Sequence, residues 1–295
     1  MTDGSSGLAS YVRDWRPEPQ TASDLVGPGP AAALAAVLDR PADAPPAGAT
    51  LPPLWHWLYF LDWPAQADLG ADGHPAHGPF LPPVPARTRM YAGGRLRVRE
   101  PIEVGTPATR TSVVADVRVR QGRSGELLFV TVRHEIHQGG ELRATEEQDL
   151  VYRSSAGAGP AAGPRPGEGS RGAGAATEPA GPWSLPLEAG PVLLFRFSAL
   201  TANAHRIHYD ETYARTEEGH RGLVVHGPLL AVLMAELPRR HAPRRRVGAL
   251  AYRFRRPVFA GEPVLVTGRP DGGGARLAVT DASGTARAEA TIEFE

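Results

Sequence analysis

The sequence predicts an α+β fold in which a curved antiparallel sheet wraps an enclosed helix, built twice in tandem. Residues 97–107, RVREPIEVGTP, align without gaps with residues 253–263, RFRRPVFAGEP. Upstream of each lies an apolar run with a proline near its start, LPPLWHWLYFL (51–61) and VHGPLLAVLMAEL (225–237). Downstream of each come alternating stretches separated by glycine-bearing turns, the pattern of a meander. Echoes in the same order argue for an internal duplication.

In chain order, each apolar run reads as a helix with proline in its first turn. Being apolar nearly all round, each is enclosed by other structure. In the first run Trp55, Trp57, Tyr59 and Phe60 are read as core. The proline-rich stretch 78–94, GPFLPPVPARTRMYAGG, has no counterpart in the second half and reads as a lid or rim loop. Residues 111–120, 127–137 and 141–153 are the strands of the first half, with turns at QGRSGE and HQGGE. Residues 154–182 are dense in Gly, Ala and Pro with almost no large apolar side chain. Such a segment cannot bury enough surface to offset its ordering entropy, so it reads as a linker. It separates an N-terminal unit, 1–153, from a C-terminal unit, 183–295. In the latter, residues 263–270, 275–282 and 285–295 are strands joined by turns at DGGGA and ASGT.

Composition excludes several functions. Hydrophobic residues make up 41% of the 295, enough for a sizeable core. Lys+Arg and Asp+Glu are both 32, so no net basic charge favours nucleic acid. There is no cysteine, hence no thiol nucleophile, disulfide or thiolate metal site. The N-terminus lacks a signal-peptide pattern, and no run reaches the ~20 apolar residues that span a bilayer. A cytoplasmic protein with no membrane partner is expected. DGGGA lacks the helix and Lys-Ser/Thr of a phosphate loop. The basic run 238–248, PRRHAPRRRVG, reads as a solvated face, with CoA phosphates as the alternative.

Chemistry concentrates in residues 197–214, FSALTANAHRIHYDETYA, which hold Asn203, His205, His208 and Asp210. Asn and Asp cap helices and His satisfies backbone groups, so a capped polar turn is one reading. The other is proton transfer, for which imidazole titrates in the right range. VVHGPLL follows, with His226 and Gly227 at the start of the apolar helix. A helix N-terminus offers unpaired N–H groups and partial positive charge. Gly227 allows close approach of a carbonyl, while the first half has Pro in its place. His205 and His208 alone make a poor metal site without a supporting carboxylate–histidine pattern elsewhere.

The whole pattern resembles the MaoC-like dehydratase/hydratase superfamily, here as a double hot-dog. Its hydratase motif, F-(S/A)-x-x-(S/T)-G-D-x-N-P-x-H-x-D followed by H-G, is matched at Phe197, Ser198, Thr201, Ile207, His208, Asp210, His226 and Gly227. The segments LPPLWHWLYFL, GPFLPPVPARTRMYAGGRL and GRSGELLFVTVRHEI are similar to the 3-methylfumaryl-CoA (mesaconyl-C4-CoA) hydratase group, related to type 2 hydroxyacyl-thioester dehydratases. The resemblance implies a hydro-lyase acting on an acyl-CoA thioester, with no metal or redox cofactor, and His208 in the catalytic histidine position. The superfamily's catalytic Asp is replaced by Asn203, whose amide is not basic but can hold water or thioester. His205 or Asp210 is left to do that Asp's work, with His226 and Gly227 holding the thioester. Arg87 and Arg89 are candidates to pair with a substrate carboxylate, since guanidinium binds carboxylates bidentately. The half preceding the linker lacks the motif, so it is expected to widen the pocket rather than catalyse. Non-catalytic thioester binding and dehydration of another 3-hydroxyacyl thioester are the rival readings. A double hot-dog pairs its own two copies, so a monomer and a homodimer are both compatible.

Overall fold

The computed structural model describes residues 7–40, 45–76, 78, 80, 82–84, 87–122, 125–154 and 181–295. The linker expected at 154–182 therefore lies almost wholly outside the described residues.

Among the described residues, ten strands form one antiparallel sheet. In the first half they are β1 (Gln20–Leu25), β2 (Arg87–Val98), β3 (Pro107–Gly122), β4 (Gly125–Gln138) and β5 (Glu141–Ser154). In the second they are β6 (Trp183–Glu188), β7 (Val247–Phe254), β8 (Pro263–Asp271), β9 (Gly274–Asp281) and β10 (Ala286–Phe294). The spatial order is β1-β3-β4-β5-β2-β7-β10-β9-β8-β6, which reads the same by position in each half outward from the β2–β7 seam. Alternation along the strands sets the register: a strand such as β8, with Val264, Val266 and Gly268 buried on alternate positions, presents one face to the core.

Backbone hydrogen bonds make the duplication concrete. Gly105 N–H donates to Val26 O at 2.8 Å, and Gly261 N–H to Ala189 O at 2.9 Å. Leu51 N–H donates to Ile102 O at 2.7 Å, and Val225 N–H to Val258 O at 2.8 Å. Helix α2 (Pro28–Val37) and helix α3 (Pro191–Leu200) each follow a Gly-Pro start after the edge strand of their half, and they touch one another. A short helix α1 (Leu8–Val12) covers the outer face of β3 and β4.

The halves differ where the sequence predicts sameness. In the second, α5 (Gly227–His241) is the enclosed helix, with every residue from Leu229 to Pro238 buried. In the first, the run 51–61 forms only a 3-10 turn, Trp55–Leu58. Leu54 and Phe60 bracket it at φ +69° and +56°, a left-handed backbone that ends a helix at both sides. The turn aims His56 and Trp57 at Glu146 on β5, at 2.8 Å each. Tyr252 and Gln148 also bond that carboxylate. Burial opposes ionisation of Glu146, yet the charges and hydrogen bonds around it, His56 first, hold it at about 2. A buried charge is tolerated only with such partners. Trp55, Tyr59 and Phe60 are buried in the core as expected.

The principal core cluster draws residues from both halves, from Leu34 and Leu54 through Leu96 and Leu250 to Leu229 and Val279. The stretch expected as a lid gives way at Arg87 to β2, so Arg87 and Arg89 lie on a strand rather than a loop.

Candidate active site

The loop after α3 is fixed by its own polar residues. Ala202 turns the chain at φ +49°. Asn203 N–H donates to Ser198 O at 2.9 Å, and Asn203 Oδ1 accepts the His205 N–H at 3.0 Å. A 3-10 turn, Arg206–His208, then leads to helix α4 (Glu211–Thr216). Asp210 is its N-cap, accepting the Tyr213 N–H at 2.9 Å and the Arg206 guanidinium at 2.7 Å. The Tyr213 N–H and then Arg206 lower its pKa. Asp210 is thus a capping residue with both oxygens engaged, by the Tyr213 N–H and by Arg206.

That loop turns its histidines inward. His208 Nδ1 lies 2.7 Å from Val224 O. A carbonyl only accepts, so Nδ1 carries the proton and Nε2 keeps a free lone pair. Burial, partly opposed by that same hydrogen bond, pushes the ring's pKa down to about 3, so His208 is a neutral base at physiological pH. Its ring stacks on His226, centroids 3.6 Å apart at 19°. His226 is fully buried, and its Nε2 lies 2.9 Å from Ser198 Oγ. That position suits His226 to holding His208 rather than touching a thioester.

The next residue, Gly227, begins α5. Its amide has no hydrogen-bond partner among the described residues. A Cβ here would lie 2.9 Å from the Phe254 ring. His208 stacks on His226, the residue that precedes this N–H in the chain.

A part of the site was missed in the sequence. The turn Leu69–Pro75 of the first half docks on the loop. Arg206 N–H donates to Asp72 O at 2.9 Å, and its guanidinium to Ala71 O at 3.0 Å. Gly73, at φ +89°, lies so close that a Cβ would sit 1.9 Å from Ala204 O. Asp72 holds His74, with Oδ2 3.0 Å from Nδ1. The His74 ring lies 4.3 Å from that of His205, which in turn is 5.6 Å from His208. His205 Nε2 is 2.8 Å from Glu218 Oε1.

Four imidazoles thus run in sequence, His74, His205, His208 and His226, with Asp72 bonded to the first and Glu218 to the second. Burial raises the pKa of Asp72, but the hydrogen bond and charge of His74 hold it at about 2. Glu218 is likewise held at about 2, against burial, by His205 and His220. His74 falls to about 4, through burial and then the charges of Arg89 and His205, against the pull of Asp72. Both carboxylates are therefore ionised acceptors and fix the protonated nitrogen of their partner. Asp72, His74 and His205 bring ligand atoms within 4.8 Å of one another. This is the carboxylate–histidine company that the sequence analysis did not find for the motif. Within it Asp72 bonds His74 Nδ1, and His205 Nε2 bonds Glu218. The signal was present in the sequence as DGH, a tight turn followed by histidine, but nothing local says where it docks.

Of the two arginines, Arg89 lies on the same face of β2 as Tyr91, two residues on. Tyr91 touches Phe254 with centroids 5.6 Å apart. Of the basic run 238–248, Arg239 is paired with Glu236, Arg240 and Arg245 bond carbonyls, and Arg246 pairs with Glu295.

The profile of the family described as hydroxyacyl-thioester dehydratase type 2 matches residues 54–260. The chain belongs to this family. The mesaconyl-C(4)-CoA hydratase of Chloroflexus aurantiacus is 46% identical over 264 residues, covering 90% of this chain and 91% of that protein. Among solved structures, a putative MaoC domain protein dehydratase from Chloroflexus aurantiacus has a TM-score of 0.62 at 13% identity, covering 100% of this chain and 98% of that one. A Mycobacterium tuberculosis protein with a double hot-dog fold has a TM-score of 0.55 at 17% identity, covering 96% of this chain and 97% of that one. The fold of this type 2 dehydratase relative is accordingly a double hot-dog, with a 3-10 turn at Trp55–Leu58 where the second copy has its enclosed helix.

Proposed function

We propose that the protein is a hydro-lyase that reversibly adds water to an α,β-unsaturated acyl-CoA thioester, with 3-methylfumaryl-CoA and a citramalyl-type CoA as the substrate pair. The supporting observation is the tautomer of His208, with Nδ1–H spent on Val224 O and the lone pair of Nε2 left free, on a ring stacked against His226 at the start of α5. The mesaconyl-C(4)-CoA hydratase relative supports the substrate.

In the hydration direction, the thioester oxygen accepts the Gly227 N–H at the positive end of α5. The Asn203 side-chain N–H₂, whose oxygen is spent on His205 N–H, holds the water. His208 Nε2 takes a proton from that water as its oxygen bonds to the β-carbon. Electrons of the double bond move to the thioester oxygen as an enolate. The imidazolium of His208 then returns its proton to the α-carbon, which restores both thioester and base. The second ring, His205, is oriented by Glu218 and limits where the water can sit. No step calls for a metal or redox cofactor, and dehydration is the same path reversed.

The test is the enoyl-thioester absorbance band with 3-methylfumaryl-CoA and with crotonyl-CoA, using the wild type and His208→Ala. Bleaching by the wild type and a loss of about 10²-fold or more in the variant is expected. Binding of CoA esters with no bleaching of either would instead favour a thioester-binding protein without catalysis.

A further inference from the structure

Beyond the loop that handles water, the site has a cationic side. Arg89 projects from β2 on the face shared with Tyr91, and Tyr91 contacts Phe254, the ring that closes on Gly227. Its charge is felt at His74, at the far end of the imidazole row. Among the described residues no carboxylate is paired with Arg89, whereas Arg95 farther along the same strand is paired with Glu147. The position of the superfamily's Asp is here Asn203, a neutral amide, and Asp72 and Glu218 are committed to their histidines.

From these observations we infer that Arg89 reads a carboxylate carried on the substrate's β-carbon, with Asn203 kept neutral so as not to repel it. The inference rests on the hydro-lyase reading above. A thioester oxygen at Gly227 and water at His208 Nε2 fix the first three carbons of the acyl chain. Whatever else hangs on the β-carbon must then point past His208, along the row toward His205, His74 and Arg89. A methyl or alkyl group there would leave a partly buried guanidinium without a counter-charge. A carboxylate supplies that charge, and a guanidinium meets it with two parallel donors. His74, clamped by Asp72 on a turn of the same half as Arg89, walls the end of this space. The substrate class is then a dicarboxylic acid joined to CoA at one end, unsaturated between its carboxyl groups.

The experiment compares kcat/KM for 3-methylfumaryl-CoA with that for 3-methylcrotonyl-CoA, in which a methyl group replaces the carboxylate. The wild type, Arg89→Gln, Arg89→Lys and Asn203→Asp are assayed, and their folding is checked by circular dichroism. In Arg89→Gln the ratio of the two constants is expected to fall about 100-fold. Arg89→Lys, which keeps the charge but not the fork, should lie between. Asn203→Asp should lower the ratio as well, by repulsion. A ratio unchanged in Arg89→Gln and Arg89→Lys, with turnover of either ester measurable, would overturn the inference while leaving the hydro-lyase reading intact. Loss of all turnover by the wild type would instead count against the hydro-lyase reading.

Discussion

A single proton's location decides the chemistry of His208. Its Nδ1 is tied to Val224 O at 2.7 Å, so the ring cannot swap tautomers without breaking a buried hydrogen bond. Asp210 shows the opposite case, a residue that shares the motif yet works on the backbone. Replacement Asp210→Ala is expected to lower the thermal midpoint while leaving kcat within about threefold of wild type, because what is lost is a helix cap. A matching loss of kcat, with folding intact, would return Asp210 to the catalytic group. The residue types were legible: His208, Asn203 and His205 stand together in the sequence and stand together in the structure. Their division of labour was not legible, because a hydrogen-bond partner such as Val224 or Glu218 lies 13 to 16 residues away.

At the scale of elements, the turn Leu69–Pro75 is the instructive one. It carries no apolar period and forms no strand, so pattern reading passes over it, yet it brings Asp72 and His74 to the motif. Gly73 is what lets it approach. The variant Gly73→Ala would need both a left-handed backbone for a residue that avoids it and a Cβ inside Ala204 O. The turn should lift from the loop, with kcat/KM falling about tenfold or more and protection of the His205 and Arg206 amides from hydrogen exchange falling too. Unaltered exchange and activity would show that the docking is not needed. The failed helix at 51–61 teaches a related lesson. An apolar run predicts burial reliably, and the run is buried, but Pro52 and Pro53 followed by left-handed Leu54 spend the residues that would have built turns. Burial follows from composition, whereas helix length follows from backbone breaks that periodicity does not weigh.

The described residues share one sheet and one principal core, so their titrating groups act on a single folding equilibrium. Burial lowers the pKa of His208 to about 3 and those of His74 and His134 to about 4. An unfolded histidine binds its proton near pH 6.5, and these folded ones refuse it until well below that. Between those limits the unfolded chain holds more protons, so stability falls as pH falls, each group contributing up to about 1.4 kcal/mol per pH unit. Below about pH 4.5 the carboxylates of Asp72, Glu146 and Glu218, each held near 2, add to the loss in the same direction. Thermal midpoints measured from pH 7.5 to pH 4 should therefore decline steadily, most steeply below pH 6. A flat profile over that range would mean that the buried rings titrate as they do in the unfolded chain. The duplication behind this single core was legible from RVREPIEVGTP and RFRRPVFAGEP alone, because a strand, a turn and a proline leave a pattern that spacing preserves. The seam was not, since β2 and β7 pair across the stretch of chain whose composition says least.

The docking of Asp72, Gly73 and His74 onto Ala204, His205 and Arg206 ties together two segments that began as copies of different things. Neither can drift by itself: a bulkier residue at 73, or a shifted carbonyl at 204, damages a site belonging to the other. Duplication ordinarily frees one copy to wander, and here it has instead produced a pair of segments that must inherit their changes jointly. A chimaera joining the first half of one relative to the second half of another would fold around a common core and still lack a working site unless the turn and the loop came from the same parent.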